Sequence, residues 1–289
     1  MLKENQIWTF ERNEFENDNL QSMVEKYAID NTILLAITDK GYLELALNFY
    51  KFSIEKHSIK NFLFVCIQKV THQRLNKLKI PNVLYMNDNR GNEESLYGSS
   101  DYKWKTHVKT KVILDVLRMG YQVVITDVDI AFLKNPLKEF QCPQCDIEAT
   151  MDGHNIYNSG FYLSRPTQAS ISLHKKMLSG PRRNSSNQIL MNNIARSMTQ
   201  ASEIKIMELT VDKWPYGLLY FNRHPWFSEK NKCNKCIIIH NNRITSSQAK
   251  IYRFKEHLMW YVDENGEFFY ETKQYLGIAK CINYCQDTE

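Results

Sequence analysis

Residues 123–137 read VVITDVDIAFLKNPL. Val123, Val124 and Ile125 lead into Asp127-Val128-Asp129, and the chain turns at Asn135-Pro136. The apolar run has the composition of a buried strand. Carboxylates at its end are costly to bury unless a cation or a metal ion balances them. In an extended segment residues i and i+2 point the same way, so Asp127 and Asp129 aim at one point beyond the strand. Hard oxygen ligands of this kind suit Mg2+ or Mn2+, which keep open positions for phosphate oxygens.

The segments before this stretch alternate in character. Residues 32–39 (TILLAITD), 61–67 (NFLFVCI), 82–86 (NVLYM) and 121–127 (YQVVITD) read as strands. Residues 43–57, 71–80 and 105–119 carry apolar residues at helical spacing, and Gly120 suits a left-handed cap after the last of them. A short helix is expected over 17–27. Strands alternating with helices imply an α/β fold with a parallel sheet. Ligands of such sheets bind beyond the carboxyl ends of the strands. Thr38 and Asp39 at the first strand's end should therefore face the same crevice as Asp127 and Asp129.

The second half is less regular. Strands are expected at 146–152, 158–164, 203–209 and 236–242, and helices at 167–178, 185–198 and 246–260. There is no repeat and no low-complexity tract, so a single domain over 1–289 is expected, with its core at about 30–262 and a tail at 263–289. His240 ends an apolar strand and offers a third metal ligand. Lys109, Lys111 and Lys250 are candidate charge partners for a diphosphate, with a solvated surface as the plainer reading for each.

Composition narrows the function classes. The 16 Tyr, 14 Phe and 43% hydrophobic residues can build a core, and 10 Gly with 7 Pro exclude collagen-like or long disordered stretches. The net charge of +5 comes from scattered lysines and arginines, which argues against a nucleic-acid partner. No run approaches the roughly 18 apolar residues of a membrane span. Residues 1–18 have no apolar leader core, so the chain reads as cytosolic or as lacking its original N-terminus. Seven cysteines include the pairs Cys142/Cys145, Cys233/Cys236 and Cys281/Cys285, with Cys66 in an apolar run. Local disulfides, disulfides between the two CxxC motifs, zinc and free thiols all remain open. Asn184-Ser185-Ser186 is an N-glycosylation sequon, and residues 214–227 are dense in aromatics that suit either a core or a sugar-stacking surface.

Residues 95–137 resemble the core of the nucleotide-diphospho-sugar transferase family, whose members include plant α-xylosyltransferases and arabinosyltransferases. The shared features are an aromatic-Gly-Ser segment, a helix with a basic residue, a Gly-Tyr-x-Val strand entry and Asp-Val-Asp followed by an apolar residue and Asn-Pro. The resemblance implies a GT-A fold, a Rossmann-like mostly parallel sheet flanked by helices with the Asp-x-Asp motif at a strand end. It implies a transferase that moves a sugar from a UDP-sugar to a hydroxyl of a glycan or glycoprotein with retention, using Mn2+ or Mg2+. By the same resemblance Asp127, Asp129 and His240 hold the metal, and Lys109, Lys111 and Lys250 face the phosphates. Thr38 and Asp39 meet the nucleoside, Val128 lies in the donor site, Asn158-Ser159-Gly160 line the sugar, and Asp152 contacts its hydroxyls. Asn187 and Gln188 fall at the catalytic Asp-Gln pair. The compartment implied is the Golgi or secretory lumen.

Two departures stand out. Asn187 replaces the aspartate near the anomeric carbon, and Arg243 replaces the glycine of His-x-x-Gly. Asn187 motivates a rival reading as a sugar-nucleotide-binding protein without transfer. A haloacid-dehalogenase-type phosphatase also carries Asp-x-Asp after a strand, but it wants Thr or Val where this chain has Ala131, and three βα units precede the motif here.

Overall fold

A computed structural model describes residues 20–88, 94–95, 98–179, 185–224, 228, 233–263 and 265–268. The sequon asparagine, Cys281, Cys285, residues 225–227 and the tail from 269 onward lie outside the described residues. The chain divides into two compact units, one drawn from 1–41, 60–127 and 140–208, the other from 42–59, 128–139 and 209–289.

The first unit is built on a seven-stranded sheet of β1 (Thr32–Thr38), β2 (Phe62–Cys66), β3 (Asn82–Leu84), β4 (Gln122–Thr126), β6 (Ile147–Met151), β7 (Tyr157–Ser164) and β8 (Ile206–Leu209). The strand order is β3-β2-β1-β4-β7-β6-β8. The first four are mutually parallel, with Leu35 opposite Ile125 and Ala36 opposite Thr126. β7 runs antiparallel to β4 and to β6, so β6 points with the parallel set. This is the mostly parallel α/β sheet expected, with Asp127-Val128-Asp129 following the end of β4. β1 and β2 are buried almost throughout, which is why each reads as one apolar run and not as an alternation.

Helices α1 (Leu20–Tyr27), α3 (Lys69–Lys77), α4 (Ser100–Arg118), α5 (Gln168–Ser179) and α6 (Asn187–Gln200) pack around that sheet. In α4 the residues Trp104, Val108, Val112 and Val116 recur every four positions and are all buried. Each such side chain contributes about 2 kcal/mol on burial. Ser99 caps the helix by accepting from the Tyr102 N–H at 3.1 Å. Gly120 ends it at φ +90°, the left-handed conformation glycine adopts without strain.

The second unit contains α2 (Leu43–Phe49), which runs on as a π-helical stretch at Tyr50–Glu55, then β5 (Ile130–Phe132), α7 (Gly217–Arg223), β9 (Ile238–His240) and α8 (Ser247–Glu256). β5 and β9 form a two-stranded antiparallel sheet with Ile130 opposite His240. The far edge of β5 is closed by side chains. Ser53 Oγ accepts from the Phe132 N–H at 3.0 Å, and the His57 Nε2–H donates to the Phe132 carbonyl at 2.8 Å. A strand of three residues leaves no periodic trace, so residue order shows only the turn at Asn135-Pro136 beyond it.

Each CxxC closes on itself, as Cys142–Cys145 in the first unit and Cys233–Cys236 in the second. Cys66 is a free thiol, fully buried, and burial raises its pKa.

His174 of α5 is also fully buried. Its Nδ1–H donates to the Ser170 carbonyl at 2.8 Å, and Nε2 accepts from the Tyr162 hydroxyl at 3.0 Å. Burial pushes this imidazole down to about 4, against the opposing pull of the Ser170 carbonyl. The unfolded chain takes up a proton near pH 6.5, and the folded one only near pH 4. Stability should therefore fall as pH drops from 6.5 through 4, by about 3 kcal/mol from this residue. Urea unfolding at pH 7 and pH 4 measures the loss, and His174→Gln should remove that share of it. An unchanged pH slope in the variant would refute the assignment.

Candidate active site

The first unit supplies carboxylates at adjacent strand ends. Asp39 follows β1 and Asp127 follows β4, two parallel neighbours. Helix α4 answers both with lysines one turn apart. Lys105 Nζ lies 2.6 Å from Asp39 Oδ2, and Lys109 Nζ lies 2.7 Å from Asp127 Oδ1. Lys105 and Asp39 are both largely buried, and Lys109 is buried while Asp127 stays 36% exposed. Lys105 was not singled out in the sequence, although its helical spacing from Lys109 was the signal that could have found it. Lys111, grouped with Lys109 on sequence, is bonded instead to Asp115, which also accepts from the Tyr85 hydroxyl. Two positions along a helix turn a side chain to another face, so the two lysines meet different carboxylates.

The same unit gathers the Asn-Ser-Gly segment and the start of α6. The Asp127 N–H donates to the Gly160 carbonyl at 2.7 Å, which ties the strand end to β7. Asn158 Oδ1 accepts from the Gly160 N–H at 2.6 Å. Gln188 has its amide turned by two partners. Its Nε2 donates to Asp152 Oδ2 at 2.9 Å, and its Oε1 accepts from the Ser159 N–H at 3.1 Å. Ser159 Oγ donates to Asn187 Oδ1 at 3.2 Å. Asp152, Asn158, Ser159 and Asn187 are all buried. Asn187 is the first residue of α6, and Ser186 holds the N-cap position, so helix capping does not account for this asparagine. Thr38 is buried at the end of β1.

The second unit holds Asp129, His240 and Lys250. His240 Nε2 lies 3.4 Å from Asp129 Oδ1, and Lys250 Nζ lies 2.8 Å from Asp129 Oδ2. Burial alone would raise the Asp129 pKa. The Lys250 ammonium and the His240 imidazole overcome it and hold the carboxyl well below its usual range. Two ligands of one ion at about 2.1 Å each stand about 3 Å apart, so the spacing of Asp129 and His240 suits a shared cation. The carboxylate oxygens suit Mn2+ or Mg2+, whereas the imidazole is a donor more typical of softer divalent ions. Val128 is buried.

Asn241, fully buried, organises this half and was missed in the sequence. Its N–H donates to the Asp129 carbonyl at 2.9 Å, its Nδ2 donates to the Lys250 carbonyl at 2.8 Å, and its Oδ1 accepts from Arg253 at 3.2 Å. Two site residues, Asp129 and Lys250, thus hang on one residue's backbone and side chain. Gly217 backs the same segment. A Cβ there would meet the Asn242 carbonyl oxygen at 2.2 Å and the His240 carbonyl oxygen at 2.9 Å, so only glycine fits. Arg243, in place of the family glycine, sits at φ +58°, a left-handed conformation that costs a non-glycine residue about 1–2 kcal/mol. Trp214, Tyr220 and Phe221 are buried, which favours the core reading for the described part of the aromatic stretch.

An arabinosyltransferase of Arabidopsis thaliana is 26% identical to this chain over 188 residues, 54% of this chain and 42% of that protein. The chain therefore spans less than half of that relative. A UDP-D-xylose:L-fucose alpha-1,3-D-xylosyltransferase of the same plant is 25% identical over 283 residues, 88% of this chain and 76% of that protein. A UDP-galactose:fucoside alpha-3-galactosyltransferase of Dictyostelium discoideum is 26% identical over 280 residues, 86% of this chain and 41% of that protein. Among solved structures, a Streptococcus pneumoniae glycosyltransferase aligns with a TM-score of 0.48 at 11% identity, covering 78% of this chain and 59% of that one. The profile of the family described as nucleotide-diphospho-sugar transferase matches residues 57–254, which is 198 of the 289 residues, and the chain belongs to that family.

Proposed function

We propose that the protein transfers a sugar from a UDP-sugar to a hydroxyl of a glycan acceptor, with retention of configuration and dependence on a divalent cation. The observation that carries this reading is Asp129 with His240 and Lys250 around it, two residues along the chain from Asp127 with its own Lys109. Asp127, Asp129 and His240 would hold Mn2+ or Mg2+. The two relatives matched over most of this chain carry UDP-sugar donors and fucose acceptors in their names, which supports UDP as the nucleotide. The α linkage in both names supports retention for an α-configured donor.

Bound at this site, the cation supplies Lewis-acid stabilisation of the diphosphate as it departs. Lys109 and Lys250 meet the phosphate oxygens as negative charge grows on them, where fixed positive groups contribute most. Thr38 and Asp39 hold the nucleoside. Asn158, Ser159 and Gly160 line the sugar, and Asp152, oriented by Gln188, accepts from its hydroxyls. The bond from the anomeric carbon to the phosphate oxygen breaks while the acceptor hydroxyl attacks from the same face. The hydroxyl proton passes to the departing phosphate oxygen. Asn187 faces the cationic carbon with a neutral amide oxygen, which stabilises it less than a carboxylate does.

Asn187 also favours the second reading, a protein that binds the donor and does not transfer it. UDP binding without UDP release from any sugar nucleotide would select it. The disulfides Cys142–Cys145 and Cys233–Cys236 support an oxidising compartment such as the secretory lumen. Among the described residues no helix is long and apolar enough to cross a membrane.

Two outcomes test the site. Asp127→Asn and Asp129→Asn should each abolish Mn2+-dependent UDP binding, read by calorimetry, while circular dichroism stays that of the wild type. Binding at wild-type strength in either variant would remove the metal assignment. Asn187→Asp restores a carboxylate, and one such contact to a transition state is worth roughly 10²–10³ in rate. Turnover of UDP-xylose or UDP-galactose with a fucoside acceptor should rise in this variant at nearly constant UDP affinity. Unchanged turnover, in an assay where Asp127→Asn is inactive, would place Asn187 outside the chemistry.

A further inference from the structure

Strand β7 outruns its neighbour. β4 pairs with it only from Phe161 to Ser164, so Tyr157, Asn158 and Ser159 continue past the end of that register. Backbone groups along a strand need partners, and helix α6 supplies them from side chains one turn apart. Asn192 Oδ1 accepts from the Tyr157 N–H at 2.8 Å, and Asn192 Nδ2 donates to the Tyr157 carbonyl at 2.8 Å. One side-chain amide thus answers both backbone groups of one residue, as an adjacent strand would. The same Nδ2 also donates to the Gln188 carbonyl at 2.8 Å, one turn back along α6. Gln188 Oε1 accepts from the Ser159 N–H at 3.1 Å. One turn on from Asn192, Arg196 donates to the Asn155 carbonyl at 2.7 Å, in the turn that joins β6 to β7. Gln188, Asn192 and Arg196 therefore form one stripe along α6. All of these groups lie in the first unit.

The stripe sets a distance across the hairpin. The Gln188 amide reaches from the Ser159 N–H on one arm to Asp152 Oδ2, 2.9 Å away, on the other. The Asp152 N–H donates to the Ile156 carbonyl at 2.7 Å, so Asp152 is held against the residue before Tyr157. Asn192 fixes Tyr157 between the two ends of that bridge, and Arg196 grips the turn at Asn155, where the backbone stands at φ +56°. A shift of Tyr157 would part the ends, and one amide could no longer meet both. Asn192 is buried, with both amide N–H groups and its oxygen engaged within the protein, so it acts through its neighbours. We propose, resting on the donor reading above, that Asn192 and Arg196 are positioning residues for the sugar side of the donor site. They act through Gln188 and Asp152, and the nucleotide side does not depend on them.

Calorimetry with Mn2+ present compares UDP with UDP-xylose and UDP-galactose, so that the sugar's share is read apart from the nucleotide's. Asn192→Asp is nearly isosteric and still accepts from the Tyr157 N–H, but it turns an acceptor on the Tyr157 and Gln188 carbonyls, which need donors. Its affinity for the sugar nucleotide should fall by at least about tenfold, with UDP affinity held within about twofold. Arg196→Ala removes one contact from an exposed side chain and should weaken the sugar nucleotide by roughly threefold, with the unfolding temperature of the wild type. Asn193→Asp makes the same chemical change on an exposed neighbour and should alter neither ligand by more than about twofold. Equal losses for UDP and the sugar nucleotide in Asn192→Asp would mean a general loosening and overturn the proposal. So would a response of Asn193→Asp as large as that of Asn192→Asp. Should Asn192→Asp misfold, Arg196→Ala decides alone, by the same split between the two ligands. Unchanged sugar-nucleotide binding in both variants, beside a wild type that binds it, overturns the positioning role and spares the donor reading. A wild type that binds no sugar nucleotide removes the donor reading and the positioning role together.

Discussion

Negative charge gathered at the ends of parallel strands has to be balanced, and the balance is supplied mostly by one helix. Asp39 and Asp127 follow adjacent strands, and α4 reaches both with lysines four residues apart. The rest of that helix fixes where those lysines can stand. Trp104, Val108, Val112 and Val116 lie buried in the core, which locks the rotation of the helix about its axis. A slip of one residue would turn both lysines away from the carboxylates they now meet. Core packing and site electrostatics are thus set by the same helical phase.

In the second unit the chain leaves Asp129 directly into β5, which pairs with β9 so that Ile130 stands opposite His240. The carboxylate and the imidazole meet because two short strands share a register. Such a short pair is weak on its own. Ser53 and His57 fasten one edge, and Asn241 fastens the residue after His240 to Asp129 and to α8.

Much of this was legible from residue order. Continuous apolar runs such as those of β1 and β2 announce strands buried on both faces, and the helices between them keep a clear period. The Asp-x-Asp motif was readable because charge after an apolar run is rare and needs a cause. Other parts left no local trace. β5 has three residues, too few to show alternation. The two units draw on three separated segments each, which no local pattern reveals. Lys109 and Lys111 look alike in sequence, and only helical phase parts them. Asn241 draws its importance from partners at Asp129, Lys250 and Arg253 that lie on other elements or a turn away. The local closure of both CxxC motifs likewise depends on loop geometry and not on spacing alone.

Gly217 bears on how a mutational scan of this protein would be read. It carries no side chain and offers nothing to a donor, a metal or an acceptor. Yet any substituent there would press on the carbonyl oxygens of His240 and Asn242, the backbone that carries a candidate ligand. In a screen scored by activity it would stand out as sharply as Asp129 and invite a chemical role. A parallel screen scored by abundance would part the two, because an altered Gly217 is expected to deplete the folded protein, whereas an isosteric change at a ligand leaves the protein present and silent.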